Sequence, residues 1–327
     1  MLDTRADIHA KLCHLAVCSA ADLPAALTDL VAQNAVFHIA DPIGDLTSTS
    51  AMLERWYGPL RRALPGAMRR DDMVIGGASV TGSGYWLATL GHHVGNFEAP
   101  LFGIAPHGKL VFLRCGEFYR VHEGRVIEAR ILPDVLDLLR QVGRLRLPQL
   151  LGSEGLFPAP ATHDGVLPGA PERSTASLHL VEAMLRDLRH FDPTTFESAR
   201  QTGDGGYWRH DMLWYGPSGI GANFTHPGFQ RDHRVPFLQA FPDRVGGNHF
   251  ARFGDGDYVA SGGWPSMTMT HRAPYLGIAP TGRALTLRVM DFWRVAGSQI
   301  AENWVLLDLV DLFRQMGTDL LERAGTP

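Results

Sequence analysis

Cysteine is scarce: Cys13, Cys18 and Cys115 are the only three in 327 residues. They cannot all pair, and each lies among apolar neighbours as a small hydrophobe does, so a disulfide framework is excluded and a reducing compartment fits. Basic runs are also missing. No stretch of Lys or Arg exceeds a pair, and 30 Lys+Arg against 34 Asp+Glu leave a formal charge of −4. Nucleic acid and anionic membrane surfaces both require a basic footprint, so neither is an expected partner. No segment reaches the 18 or more apolar residues of a membrane span. The apolar run LCHLAVCSAA is short and broken by His14, and Asp3 and Asp7 accompany Arg5 and Lys11 before it. That is not a signal-peptide pattern, and a cytoplasmic location is expected. There is no CxxC, no phosphate-binding glycine loop and no Ser/His/Asp order. His9, Cys13, His14 and Cys18 share one helical face, but without a close zinc spacing that face reads as buried packing. No metal or other cofactor is expected.

What the chain does have is a copy of itself. Leu101 to Gly143 reads LFGIAPHGKLVFLRCGEFYRVHEGRVIEARILPDVLDLLRQVG, and Tyr275 to Gly317 reads YLGIAPTGRALTLRVMDFWRVAGSQIAENWVLLDLVDLFRQMG; 18 of these 43 positions are identical without a gap. A repeat of that length is far longer than a solenoid unit, so it is a duplicated domain. The expected division is 1–151, a Pro/Gly-rich linker over 152–174, and 175–327.

Within the first half, amphipathic helices are expected from Asp3 to Ala20 and from Asp22 to Val31. A strand in AVFHIADPIGDL follows, then a helix capped by Thr49 or Ser50 that ends at Pro65-Gly66. From Asp72 the pattern becomes strands separated by glycine: MVIGGASV, SGYWLATLGHHV, KLVFLRCGEFYRV and RVIEARIL. Tight turns between them favour antiparallel pairing. A helix capped by Asp134 and stopped at Gly143 closes the half. The second half repeats the order, with a helix from Ser177 to Arg189, a strand through Met212 to Tyr215, a helix ending at Pro242 and a last helix from Asp308. Helices first, a curved antiparallel-rich sheet next and a terminal helix last make an α+β layer fold.

The strongest local signal is an acid inside an apolar strand. Alternation over Leu287 to Val295 sets Leu287, Val289, Asp291, Trp293 and Val295 on one face. The first half sets Leu113, Cys115, Glu117, Tyr119 and Val121 on the matching face. A desolvated carboxylate has a raised pKa and can exchange a proton near neutral pH, whereas an arginine partner would make it a plain ion pair; both readings stay open for Asp291 and Glu117. His271 on the preceding strand could orient or protonate a substrate oxygen, and its counterpart is Phe97. His92 and His93 form a second pair. Asp134 and Asp308 occur in both halves and are explained by N-capping. Trp214, Tyr215 and Trp293, with Tyr119 and Asn303, are candidates to line a pocket for a flat hydrophobic ligand.

The run LGIAPTGR, a strand, a turn, a strand and then DLVDLFRQMG resembles the SnoaL-like polyketide cyclases of the nuclear-transport-factor-2-like superfamily. The resemblance implies two tandem cone-shaped domains, each with a deep apolar pocket. It also implies an internal pseudo-dimer, with a further pairing of two chains left open. Such cyclases close a ring by aldol condensation without metal or cofactor. The family's pocket histidine on the penultimate strand falls on Asp291 and Glu117. Its asparagine before a proline falls on Asp41, before Pro42, and on Gly216, before Pro217. The histidine before the LGxPPTG-like turn is kept as His271. The catalytic aspartate, three residues before Asp308 or Asp134, is replaced by Val305 and Ile131, and a hydrocarbon cannot transfer a proton. The resulting expectation is acid/base chemistry on an enolisable small molecule, with Asp291 and His271 acting in the second half and Glu117 and Asp41 in the first. The competing expectation is a binding module or scaffold that lost catalysis with Val305 and Ile131.

Overall fold

Apolar spacing at the N-terminus already decides how the first sheet is covered. In the computed structural model, which describes residues 4–325, α1 (Thr4–Val17) buries Ile8, Leu12 and Leu15, and α2 (Leu23–Leu30) carries Pro at its start, where a missing N–H costs nothing. His9 and Cys13 are only half-buried and His14 is exposed. The expected buried face is therefore centred on the aliphatic residues and not on the His/Cys stripe. β1 (Val31–Ile39) and β2 (Gly44–Leu46) form a hairpin-like edge. The next helix is composite: α3 (Thr49–Met52), a π-helical turn Leu53–Tyr57, and α4 (Gly58–Ala63). Its cap is Ser48, one residue earlier than expected, whose hydroxyl accepts from Ala51 N at 3.1 Å.

The four long strands are β3 (Met68–Ala78), β4 (Tyr85–Asn96), β5 (Leu110–His122) and β6 (Arg125–Pro133), followed by α5 (Val135–Gln141). The sheet order is β2-β1-β6-β5-β4-β3, parallel only between β1 and β6. β3 begins at Met68, upstream of the expected start. Arg69, Arg70 and Asp71 are strand residues despite their charge, because ladder pairing with β4 overrides a polar composition.

In the second half α6 (Pro171–Asp187) starts upstream of Ser177, again on a proline. Then come β7 (Trp208–Tyr215), β8 (Ala222–Phe224), α7 (His226–Phe229), a π-helical turn Gln230–Arg234 and α8 (Val235–Ala240). The sheet continues with β9 (Val245–Gly246), β10 (Ala251–Asp255), β11 (Tyr258–Thr270), β12 (Ala284–Ala296) and β13 (Gln299–Leu307). α9 (Leu309–Gln315) and α10 (Leu320–Gly325) end it. The order is β10-β11-β12-β13-β7-β8, with β9 beside β11. Two tandem domains of the nuclear-transport-factor-2-like fold result. Asp134 and Asp308 cap their helices as expected, accepting from Asp137 N and Asp311 N at 3.1 and 3.2 Å.

Each sheet uses its two faces differently. One face of each packs on its own helices. The other faces meet, with Phe118 placed 5.6 Å from Phe292 and 5.9 Å from Phe253 between ring centroids. Gly116 permits that approach: a Cβ there would lie 3.1 Å from Met290 Sδ. Arg114 is fully buried in the seam and donates to the carbonyls of Tyr215, Gly216 and Val305 at 3.1–3.2 Å, which satisfies a charge that water no longer reaches. The segment before α6 ties both sheets, through Val74 N to Gly165 O at 2.9 Å and Trp304 Nε1 to Pro158 O at 2.9 Å. No helix among the described residues is long and apolar enough to cross a membrane.

Candidate functional site

The helix-facing side of the second sheet does not close fully. A cavity of about 180 Å³ remains between β7, β12 and β13 on one side and α6 with the α7–α8 helix on the other. Its walls include Trp214, Phe229, Leu287, Val289, Trp293 and Val305. Among the described residues, Asp291 is the one carboxylate lining it, and it is half-buried. Burial among these side chains pushes its pKa up to about 7, against a hydrogen bond from Asn303 and the more distant charge of Arg252. No cation lies within 4 Å of it among the described residues. Along the ladder the register runs Arg252, Ser261, Asp291, Val305, so Asp291 and Val305 are direct cross-strand partners.

Polar groups gather at the helical side. His233 stacks on Trp214 with centroids 4.1 Å apart, and burial lowers its pKa to about 3, so it is neutral. His249 is likewise lowered to about 4, by burial first and then by Arg252 and Arg189. Arg189, Arg234 and Arg244 complete this side of the lining.

In the first half the equivalent register is Val74, Thr89, Glu117, Ile131. Here the carboxylate is locked. Glu117 accepts from Arg69 at 2.5 Å and Thr89 at 2.9 Å, with His93 at 3.6 Å. Burial alone would raise its pKa, but Arg69 and His93 hold it well below the usual carboxylate range. Arg69 also bonds Asp71 at 2.9 Å, and Asp71 bonds His9 at 2.9 Å. The remaining space beside Arg69 and His93 is only about 20 Å³. Trp56, fully buried, and Tyr57 occupy the last two positions of the π-helical turn, where the second half has His233 and Arg234.

Two side-chain groups have the composition of cation ligands: His9, Cys13 and Asp71, and His93, Cys115 and Glu117, each with ligand atoms within 4.8 Å of one another. The Arg69 guanidinium sits on a carboxylate of both, and burial pushes the Cys13 and Cys115 thiols up. Both features oppose a bound cation.

Of the residues singled out from sequence, Asp291, Trp214, Trp293 and Asn303 line this cavity. His271 does not join them. It follows the last residue of β11, where strand alternation ends, and is fully buried beside Phe241, with Nδ1 3.3 Å from Thr281 Oγ1. Tyr215 points to the other face from Trp214, as adjacent strand residues must. It stacks on Trp304 at 5.2 Å and donates to Glu302 at 3.3 Å in the inter-sheet core. Tyr119 is buried in the first half, in the same filled core as Glu117. Asp41 and Glu117 do not form a carboxylate pair: Asp41 is bonded to Arg314 at the seam, and its N–H donates to Asp308 at 3.1 Å. The sequence reading missed His233, Arg234, Arg244 and His249. Aligning the two composite helices would have exposed the first two, because polar residues there replace Trp56 and Tyr57.

The model of a family described as SnoaL-like polyketide cyclase matches residues 11–142 and 229–316. Among solved structures, the chain is similar to a protein of Jannaschia sp. CCS1 provisionally described as a SnoaL-like polyketide cyclase, at 12% identity and a TM-score of 0.36 over 42% of this chain and 89% of that one. It is also similar to IdmH of Streptomyces antibioticus, provisionally described as a polyketide cyclase (22%, TM-score 0.28, 34% and 83%). A third is TsrD of Streptomyces laurentii (19%, TM-score 0.32, 44% and 96%). No curated protein matches the chain.

Proposed function

The chain belongs to the SnoaL-like polyketide cyclase family, and on that footing we propose that its second domain performs cofactor-independent acid/base chemistry on a hydrophobic, enolisable small molecule, with Asp291 as the proton carrier. The observation that carries this reading is the pairing of Asp291 with Val305 across the ladder. Val305 stands where the family's catalytic aspartate is expected, so the carboxylate has moved one strand sideways and still addresses the same cavity.

The Asp291 carboxylate takes a proton from a carbon next to a carbonyl. The C–H electron pair becomes the enolate double bond, and the carbonyl π pair moves to oxygen. In an aldol cyclisation the enolate carbon then attacks a second carbonyl, and the new alkoxide takes the proton back from Asp291. In an isomerisation the proton returns to a different carbon; in a dehydration it leaves with the hydroxyl as water. A group with its pKa near 7 is populated in both states at neutral pH, which is what a proton shuttle needs. Asn303, which donates to Phe292 O at 3.0 Å, lines the cavity with Asp291, and Trp214 and Trp293 supply flat apolar walls. A space of about 180 Å³ suits one or two fused rings, by comparison with the ~150 Å³ cavity that accepts benzene. His271 takes no part, and the first domain serves as a structural partner whose Glu117 stays ionised.

The test is α-proton exchange of 2-tetralone, an enolisable bicyclic ketone, followed by NMR in D2O. The wild-type chain is expected to accelerate exchange with a rate that rises to a plateau above pH ~7, and Asp291→Asn to lose roughly 10²–10⁴-fold. Glu117→Gln should retain the activity. Equal rates in wild type and Asp291→Asn would leave the competing reading, binding without turnover.

A further inference from the structure

The cavity of the second half is lined by arginines that no carboxylate of the described residues contacts. Arg234 ends the π-helical turn and is 5% exposed. Its Nε donates to Phe196 O at 2.7 Å, but its Nη2 is buried without a partner. Arg244 donates from Nη2 to Leu188 O at 3.4 Å, and its Nε is also buried without a partner. Both guanidinium groups lie over the Phe191 ring, 5.8 and 5.9 Å from its centroid. Among the described residues, no carboxylate oxygen comes within 4 Å of either; Asp187 and Glu197 attract Arg234 only from farther away. Arg189 is exposed at the mouth and occupies the space that a Cβ on Gly247 would take. His233, neutral and lacking a partner at Nδ1, sits beside them.

Neighbouring guanidinium groups withdrawn from water without an anion are unfavourable, and proteins rarely hold them so without a use. In the first half the position of Arg234 is Tyr57, an uncharged side chain. We propose that the second-domain cavity is built for a hydrophobic ligand bearing a carboxylate, which Arg234 and Arg244 bind while the apolar body lies along Trp214 and Trp293. The fork of N–H groups on a guanidinium matches the two oxygens of a carboxylate, and the few unpartnered donors suit a monoanion better than a phosphate dianion. This inference rests on the acid/base reading only for the shared cavity and for the orientation it gives the substrate relative to Asp291.

Isothermal titration calorimetry of the full chain with 2-naphthoate, methyl 2-naphthoate and 2-naphthyl phosphate tests it. The expected result is at least tenfold tighter binding of the naphthoate than of its ester. Arg234→Met and the less buried Arg244→Gln should each remove most of that preference, with ester affinity within about twofold of wild type. Asp291→Asn should keep the preference. Equal affinity for acid and ester, or a preference that survives both arginine variants, overturns the carboxylate assignment and leaves the apolar cavity standing. Tighter binding of the phosphate overturns it in favour of a dianion. Failure of all three probes to bind overturns this proposal together with the ligand-binding cavity. Intact carboxylate binding without tetralone exchange sinks the acid/base reading alone.

Discussion

At one and the same point of their ladders, the two halves hold a carboxylate facing a hydrocarbon, Glu117 opposite Ile131 and Asp291 opposite Val305. Their chemistry differs because of neighbours. Arg69 pairs across β4 at His93, which pairs with Leu113; the matching chain in the second half runs Gly246, Met267, Leu287. The arginine that locks Glu117 is thus a glycine beside the cavity of Asp291. β3 runs unbroken, whereas its counterpart is split into β9 and β10. On the helical side Trp56 and Tyr57 fill the space that His233 and Arg234 leave open. A duplicated frame therefore supplies two equivalent places for an acid, and the cation and packing around each decide whether the acid is a fixed ion or a carboxyl whose pKa burial raises to about 7.

The comparison can be broken most forcefully at Arg69. Arg69→Met strands Glu117 and Asp71 as buried anions and should cost ~3–5 kcal/mol in urea unfolding. Adding Glu117→Gln should recover part of it. A single-variant cost below ~1 kcal/mol would show that the first half is not held by this ion pair.

Stability against pH separates the two acids next. The folded pKa of Asp291 is raised from 3.8 to about 7. Its favourable contribution is therefore complete below about pH 3.8 and is lost as pH rises through about 7. Relative to Asp291→Asn, wild type should lose about 2–4 kcal/mol between pH 4 and pH 7 and little beyond. Glu117, held below its usual range, has the opposite sign, and its contribution falls away as the solution is acidified. Parallel pH curves for wild type and Asp291→Asn would remove the distinction.

The smallest change transplants the first half's arginine. A Cβ on Gly246 would have only Arg244 Nη1 and Met267 Cβ near it, both at 3.8 Å, so there is room. Gly246→Arg should lower the Asp291 pKa by at least one unit, ~1.4 kcal/mol, and move the midpoint of the exchange rate downward in pH by the same amount. An unmoved midpoint would mean that a cation at this position does not control the acid.

Much of this was legible in the residues. The duplication predicts two equivalent domains, alternation places Asp291 and Glu117 on matching faces of their strands, and paired aspartates predict the helix caps that form at Asp134 and Asp308. Alternation also forbids Trp214 and Tyr215 from sharing a pocket, a constraint that follows from strand geometry alone. An ion pair was one open reading for Glu117, but its partner was not legible. Arg69 is far from Glu117 in sequence and lies in a charged stretch that reads as a loop until β4 pairs with it.

By itself the chain determined its family, its α+β architecture, its repeat and the acid-bearing strands, because those depend on local periodicity and on self-similarity within one polypeptide. Only the tertiary structure decided that Glu117 is neutralised and Asp291 is not, that His271 and Asp41 lie away from the cavity, and that Arg234 and Arg244 converge on it. Those outcomes depend on which distant side chains meet in a low-dielectric space, and the free energy of a buried charge is set by such neighbours and not by its place along the chain.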